Sequence, residues 1–198
     1  MKTAIIQYNG GNVCSVQFAL ERIGANAVIT DDAETILSAD RVIFPGVGQA
    51  SSAMQYLRNR GLDRVIKHLR QPVLGICLGM QLLCDHSEEG DTSGLGIFPL
   101  QVKRFQVTTD LSLKVPLIGW NTISNLASPV FGNIPENSYM YFVHSYYAPL
   151  CEYTVAQACH AAPYSAALQK DNFYAVQFHP EKSGDDGQQL LKHFLNLY

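Results

Sequence analysis

In the first part of the chain, short β-rich apolar runs alternate with helical patterns, and that alternation leaves few folds open. Ala4-Ile5-Ile6, Ala27-Val28-Ile29, Val42-Ile43-Phe44 and Val73-Leu74-Gly75-Ile76 read as buried strands. Asn12 is placed to cap a helix whose apolar stripe is Val13, Val16, Leu20 and Ile23, with Gly24 as its stop. Met54 and Leu57 mark a further helix after the third strand. Strand and helix in alternation predict right-handed βαβ units and a mainly parallel sheet flanked by helices on both faces.

From Gln101 onward strand-like runs dominate: Gln101–Phe105, Tyr139–Val143, Tyr153–Ala158 and Phe173–Phe178, punctuated by Pro116, Pro129, Pro135 and Pro149. These predict an antiparallel extension packed on the α/β core within one domain spanning 1–198, with no linker or repeat. A last helix, over about 187–197, carries Leu190, Leu191, Phe194 and Leu195 on one face. The chain has 198 residues, 47% of them hydrophobic, enough for a sizeable core without disulfides. Its net charge of −3 and lack of a basic run argue against nucleic acid as a partner. No signal-peptide pattern or membrane-length apolar stretch is present. The five cysteines, odd in number and without C-x-x-C spacing, fit reduced thiols in the cytoplasm. One of them is then free to be reactive.

The candidate is Cys77, in Gly75-Ile76-Cys77-Leu78-Gly79, directly after a strand and before a helical run. G-x-C-x-G has the form of a nucleophile elbow, in which flanking glycines permit a strained turn that presents the central side chain. The following helix N-terminus favours a thiolate and offers N–H groups to an oxyanion. An ordinary buried cysteine between two turn glycines is the other reading of the pentapeptide.

A nucleophile needs a base, and six histidines are available. His68 and His193 lie in amphipathic helical settings. His179, in Val176-Gln177-Phe178-His179-Pro180-Glu181, stands at a strand end with Glu181 two residues on. On extended backbone the two side chains share a side, so the carboxylate can orient the imidazole toward the thiol. Pro180 ends the strand because it cannot donate to a ladder. A surface H-P-E turn is the alternative. Phe44-Pro45-Gly46-Val47-Gly48 closes the third strand, where parallel sheets assemble sites; its glycines allow a peptide flip that aims an N–H at a tetrahedral intermediate. A dinucleotide loop fits poorly, since Ser51 stands where G-x-G-x-x-G needs its last glycine.

Together these residues resemble the class I (triad) glutamine amidotransferases, whose G-x-C-x-G-x-Q elbow matches Gly75 to Gln81 and whose H-P-E matches His179-Pro180-Glu181. The resemblance covers nearly the whole chain. It implies a flavodoxin-like α/β fold and a hydrolytic half-reaction on L-glutamine, with Cys77 as nucleophile, His179 as acid and base, and Glu181 as orienter. It further implies an oxyanion hole from Leu78 and the Gly46-Val47 segment. Gly48, Gln81 and His144-Ser145-Tyr146 would hold the glutamine, although His144 also has a purely structural reading.

Finer features (Gly11-Asn12-x-x-Ser15-Val16, Pro45-Gly46-Val47-Gly48, Gly119-Trp120-Asn121 and Tyr141 to Tyr146) resemble the histidine-biosynthetic branch of that family. There, ammonia passes to a (β/α)8 cyclase subunit in a heterodimer. Trp120, Tyr141 and Lys182 are interface candidates by the same resemblance, with core packing of the two aromatics as the rival reading. The chain ends soon after the H-P-E helix, so no fused synthetase domain is expected, and no metal or organic cofactor is implied. A subunit for another pathway, such as anthranilate synthesis, and a non-catalytic module of the same fold are the competing assignments. One departure stands out: Gln7-Tyr8-Asn9 replaces the family's usual Asp-Tyr-Gly, and asparagine is expected to keep that turn by tolerating left-handed backbone.

Overall fold

The computed structural model describes residues 1–106 and 114–197. Its first half runs β1 (Thr3–Ile6), α1 (Val13–Arg22), β2 (Ala27–Thr30), α2 (Ala33–Leu37), β3 (Arg41–Phe44), α3 (Ala50–Asn59), α4 (Leu62–Lys67), β4 (Val73–Ile76) and α5 (Leu78–Leu82). Then follow β5 (Cys84–Ser87), β6 (Thr92–Ser93), β7 (Phe98–Arg104), β8 (Leu117–Thr122), β9 (Tyr139–His144) and β10 (Tyr146–Tyr147). The chain closes with β11 (Thr154–His160), β12 (Ala162–Lys170), β13 (Phe173–Val176), a 3-10 turn (Pro180–Lys182) and α6 (Gly184–Leu195).

Among the described residues, seven strands form the central sheet in the order β11-β12-β13-β4-β3-β1-β2. The four strands expected from the first part of the sequence all form and pair in parallel. Alternation along them divides the core between two faces. Ile5, Ile43, Leu74, Ile76 and Val176 meet α1 and α6 residues such as Leu20 and Leu191. Ala4, Ile6, Val42, Phe44 and Val73 meet Met54, Leu57 and Ile66 of α3 and α4. A strand buried on both faces cannot show polar alternation, which is why these runs are continuously apolar.

Two expectations need correction. The run expected over Phe173–Phe178 belongs to the parallel core: β13 pairs parallel with β4 (Val176 beside Ile76), and only β12 and β11 continue the sheet antiparallel. That placement brings His179 to the same sheet edge as Cys77. The expected antiparallel extension is also only partly antiparallel: β10-β7-β5-β6 form a separate four-strand sheet in which β5 and β7 pair in parallel, and β8–β9 form an antiparallel ribbon. Strands β5 and β8 and the short helices α2 and α4 escaped sequence reading, because four to six residues carry too little periodicity. The nine-residue β12 escaped it too, since most of its residues are buried whichever side they face and it shows no alternation. No helix of the described residues is long and apolar enough to cross a membrane.

Candidate active site

Cys77 follows β4 with φ 52° and ψ −106°, a backbone conformation unusual for any residue with a side chain. Its amide is tied to the neighbouring strand (Cys77 N–H to Val176 O, 2.8 Å), so the strain is held by the sheet. The turn needs Gly79, where an added Cβ would overlap the Phe44 carbonyl oxygen and push α5 off β3. The helix below the elbow is shorter than expected, only the five residues of α5. Cys77 is 5% exposed, with its sulfur 3.7 Å from the Val143 carbonyl oxygen.

His179 is buried, and its ring faces both the Cys77 thiol and Glu181. Its Nδ1 lies 2.7 Å from Glu181 Oε1, which assigns the Nδ1 proton to that carboxylate and leaves Nε2 for the sulfur. Burial alone would lower the imidazole pKa. The Cys77 sulfur and the Glu181 carboxylate outweigh it and hold the group at about 10, so the ring is a proton donor at neutral pH.

The pair meets, but not along a strand. Only His179 is extended, while Glu181 sits in the 3-10 turn that Pro180 opens. The turn is clamped by Ser183, whose Oγ donates to His179 O (2.6 Å) and accepts from Tyr141 N–H (3.0 Å), while His179 N–H donates to Tyr141 O (2.8 Å).

Asn12 also departs from expectation. It precedes α1 in left-handed conformation (φ 79°) and makes no side-chain cap. Its amide instead donates to Glu181 Oε1 at 2.5 Å, beside His179 Nδ1 at 3.5 Å. Asn12, not Asn9, is therefore the residue that uses asparagine's tolerance of positive φ, since Asn9 keeps φ negative and donates to Ser52 O (3.2 Å). The preceding tripeptide turn survives without a left-handed residue.

Beside Cys77 lies a cleft of about 220 Å³ lined by Val47, Gly48, Leu78, Gln81, Glu89 and the 143–146 segment. Of the residues expected to hold substrate, Gly48, Gln81, His144, Ser145 and Tyr146 all reach it. Both ring nitrogens of His144 are engaged, Nδ1 donating to Tyr146 O (2.8 Å) and Nε2 accepting from Tyr164 Oη (3.4 Å). Burial, opposed only by the Tyr146 carbonyl, drives its pKa down to about 4. It is a neutral wall residue, not a second base.

The loop Gly46-Val47-Gly48 sits over Cys77, and Leu78 N–H donates to Gly46 O at 3.2 Å. In this conformation the carbonyl of Gly46, not an N–H, faces the expected oxyanion position. Gly48 holds φ 113°, a conformation that residues with a side chain rarely adopt, with open space around its α-carbon.

Glu89 was not anticipated. It comes from the loop after β5, projects into the cleft, and accepts from Ala50 N–H (2.8 Å) at the start of α3. Burial raises its carboxyl pKa, with the Ala50 N–H opposing. Gln177 was also missed; it is fully buried and donates to the Cys77 sulfur.

Of the three interface candidates, Trp120 is 55% exposed, which excludes core packing. Tyr141 is half-buried edge-on against it (5.9 Å), and the exposed Lys182 lies 6.0 Å over the Tyr141 ring. Ile118 and Tyr139 extend the same exposed face of β8–β9.

A family profile described as glutamine amidotransferase class-I matches residues 4–197. The chain is 56% identical, along all of both chains, to an imidazole glycerol phosphate synthase subunit HisH of Bacteroides fragilis. It is 46% identical, again over all of both, to the protein of that name from Yersinia pseudotuberculosis. In fold it resembles a glutamine amidotransferase crystal structure from Thermotoga maritima (TM-score 0.62, 14% identity, 98% of this chain and 82% of that one). With the elbow thiol, the buried imidazole–carboxylate pair and the full-length match in agreement, the chain belongs to the class I glutamine amidotransferases.

Proposed function

We propose that this chain is the glutaminase subunit of imidazole glycerol phosphate synthase. In that role it hydrolyses L-glutamine and passes ammonia to a (β/α)8 cyclase subunit in a heterodimer. The cyclase then forms imidazole glycerol phosphate and an aminoimidazole carboxamide ribonucleotide in histidine biosynthesis. The observation that carries it is 56% identity along all of both chains with a subunit of that synthase.

The site supports the chemistry step by step. Cys77 Sγ attacks the glutamine side-chain carbon, and His179 Nε2–H gives its proton to the departing ammonia, leaving a γ-glutamyl thioester. Water then enters; His179 removes its proton, the C–S bond breaks with its electrons returning to sulfur, and glutamate leaves. Glu181 and Asn12 hold the imidazole in one tautomer and one orientation throughout. The oxyanion of each tetrahedral intermediate needs N–H donors, and Leu78 N–H is committed to Gly46 O. Rotation of the Gly46–Val47 peptide frees it and turns Val47 N–H toward the site, so catalysis waits on that loop.

Ammonia that escapes into water at neutral pH is mostly protonated and no longer nucleophilic. A sheltered route to a partner answers that problem, and the exposed face of Ile118, Trp120, Tyr139, Tyr141 and Lys182 beside the site has the aromatic and cationic character of a docking surface. Glutaminase assays with and without a cyclase partner and its ribonucleotide ligand test the reading. Turnover is expected to rise at least about tenfold with both present, which is about 1.4 kcal/mol off the barrier. Hydrolysis at full rate without a partner overturns it.

Glu89 supplies the cleft with a carboxylate for the α-ammonium of glutamine. Glu89→Gln keeps the acceptor for Ala50 N–H and removes the charge. A charge-assisted hydrogen bond is worth about 1.5–3 kcal/mol, so KM for glutamine should rise about tenfold or more with kcat less affected. An unchanged KM would place the ammonium elsewhere.

A further inference from the structure

Gln177 has a connection to the nucleophile that the triad does not account for. It is 0% exposed, one residue beyond β13 and two before His179, so on the extended segment both side chains turn to the same side of the sheet edge. Its Nε2 lies 3.6 Å from Cys77 Sγ, within reach of an N–H···S hydrogen bond. Its Oε1 accepts from Gln81 Nε2 at 3.0 Å, and the same Gln81 nitrogen donates to Tyr146 O at 2.9 Å.

The orientation of both amides follows from one group. A backbone carbonyl has no proton to give, so Tyr146 O requires the nitrogen end of Gln81. That nitrogen keeps a second proton, which only the oxygen end of Gln177 can accept. Gln177 therefore presents its NH2 to the sulfur. The backbone holds it there, because Gln177 N–H donates to Ala166 O (2.8 Å) on β12.

Besides the His179 ring, the sulfur has the Val143 carbonyl 3.7 Å away, which suits a thiol proton and repels a negative sulfur. Hydrogen bonds to a charged acceptor are about twice as strong as neutral ones, so an N–H donor matters most when the sulfur carries charge. We propose that Gln177 is a further catalytic residue, donating a hydrogen bond to Cys77 Sγ that stabilises the thiolate before attack and again when the C–S bond of the thioester intermediate breaks. Gln81 polarises that donor from behind and ties it to the Tyr146 wall of the cleft. The inference rests on Cys77 being the nucleophile of the proposed function.

The test reads the sulfur directly. Iodoacetamide alkylation of Cys77 in the full chain is followed by mass spectrometry from about pH 5 to about pH 9 for wild type, Gln177→Met and Gln177→Glu. Methionine keeps length and volume without a donor; glutamate keeps the acceptor for Gln81 and sets a carboxyl group against the sulfur. The pH of half-maximal alkylation rate is expected to rise by about one unit in Gln177→Met, a tenfold change in thiolate population at a given pH, and further in Gln177→Glu. A merely structural residue would lower stability without moving that profile, and superimposable profiles overturn the proposal.

If neither variant folds, the wild-type chain with its glutamine side chains 15N-labelled gives the answer. The Gln177 amide protons, assigned by their contacts with the Gln81 side chain, must shift when Cys77 is methylthiolated, and unmoved resonances are equally fatal. Glutamine hydrolysis surviving in Cys77→Ala would sink the nucleophile assignment instead, so the two failures are distinct.

Discussion

Cys77→Ala is expected to lower glutamine hydrolysis by about four to six orders of magnitude while leaving the fold and partner binding intact. The size follows from how a triad works: its members act as a unit, and removing the nucleophile alone costs about as much as removing all of them. The structure gives a reason to expect an intact fold. Cys77 contributes a small side chain, and its backbone N–H bond to Val176 O survives the change. Alanine tolerates φ 52° no better and no worse than cysteine, so the strain at the elbow is unaltered. Losing the sulfur also leaves the Gln177 NH2 without its acceptor, at a cost of about 1–3 kcal/mol. Steady-state glutaminase assays with circular dichroism and partner pull-down check all three statements. Hydrolysis within a hundredfold of wild type would dismiss Cys77 as the nucleophile.

The residues that sequence reasoning found and missed differ in a physical way. Cys77, His179 and Glu181 lie in short contiguous motifs whose backbone requirements leave marks, flanking glycines in one case and a proline in the other. The parallel core was legible for the same reason, since burial on both faces forces continuous apolar runs such as Ile5-Ile6 and Val42-Ile43-Phe44. Asn12, Glu89 and Ser183 carry no such mark. Asn12 looks like a helix cap because its chemistry is that of a cap, and only the tertiary position of the turn after His179 redirects its amide to Glu181. Glu89 reaches the cleft from a loop whose path depends on an unanticipated strand, β5. Gln177 did leave a trace: it alternates with His179 on extended backbone, so a polar residue in an apolar strand pointed the same way as the base. Why Leu78 N–H is occupied by Gly46 O was not legible at all, because a peptide orientation has no side-chain signature.

His179→Asn is expected to lower kcat by at least about a thousandfold, with Cys77 still open to alkylation by an electrophilic reagent. Asparagine can stay within hydrogen-bonding reach of Glu181, but it can neither protonate leaving ammonia nor take a proton from water. Both half-reactions stop, so the γ-glutamyl adduct, where it forms, should persist; an adduct that turns over normally removes His179 from the base role.

The same variant predicts a pH dependence of stability. Burial opposes the charge on His179, but Cys77 and Glu181 raise its folded-state value from 6.5 to about 10. A raised value means the folded chain binds the proton more tightly than the unfolded one, so its stabilising contribution is complete below 6.5 and fades as pH climbs through about 10. In His179→Asn the titratable proton beside Glu181 is gone, and only neutral amide donors, Asn12 among them, face its buried carboxylate, whose Oε2 is unpartnered among the described residues. The wild-type advantage in urea unfolding should therefore be largest below about pH 6.5 and shrink steadily toward about pH 10. An advantage constant across that range would mean that the imidazole is not charged in the folded chain, and the thiolate–imidazolium pair at the centre of the mechanism would fall with it.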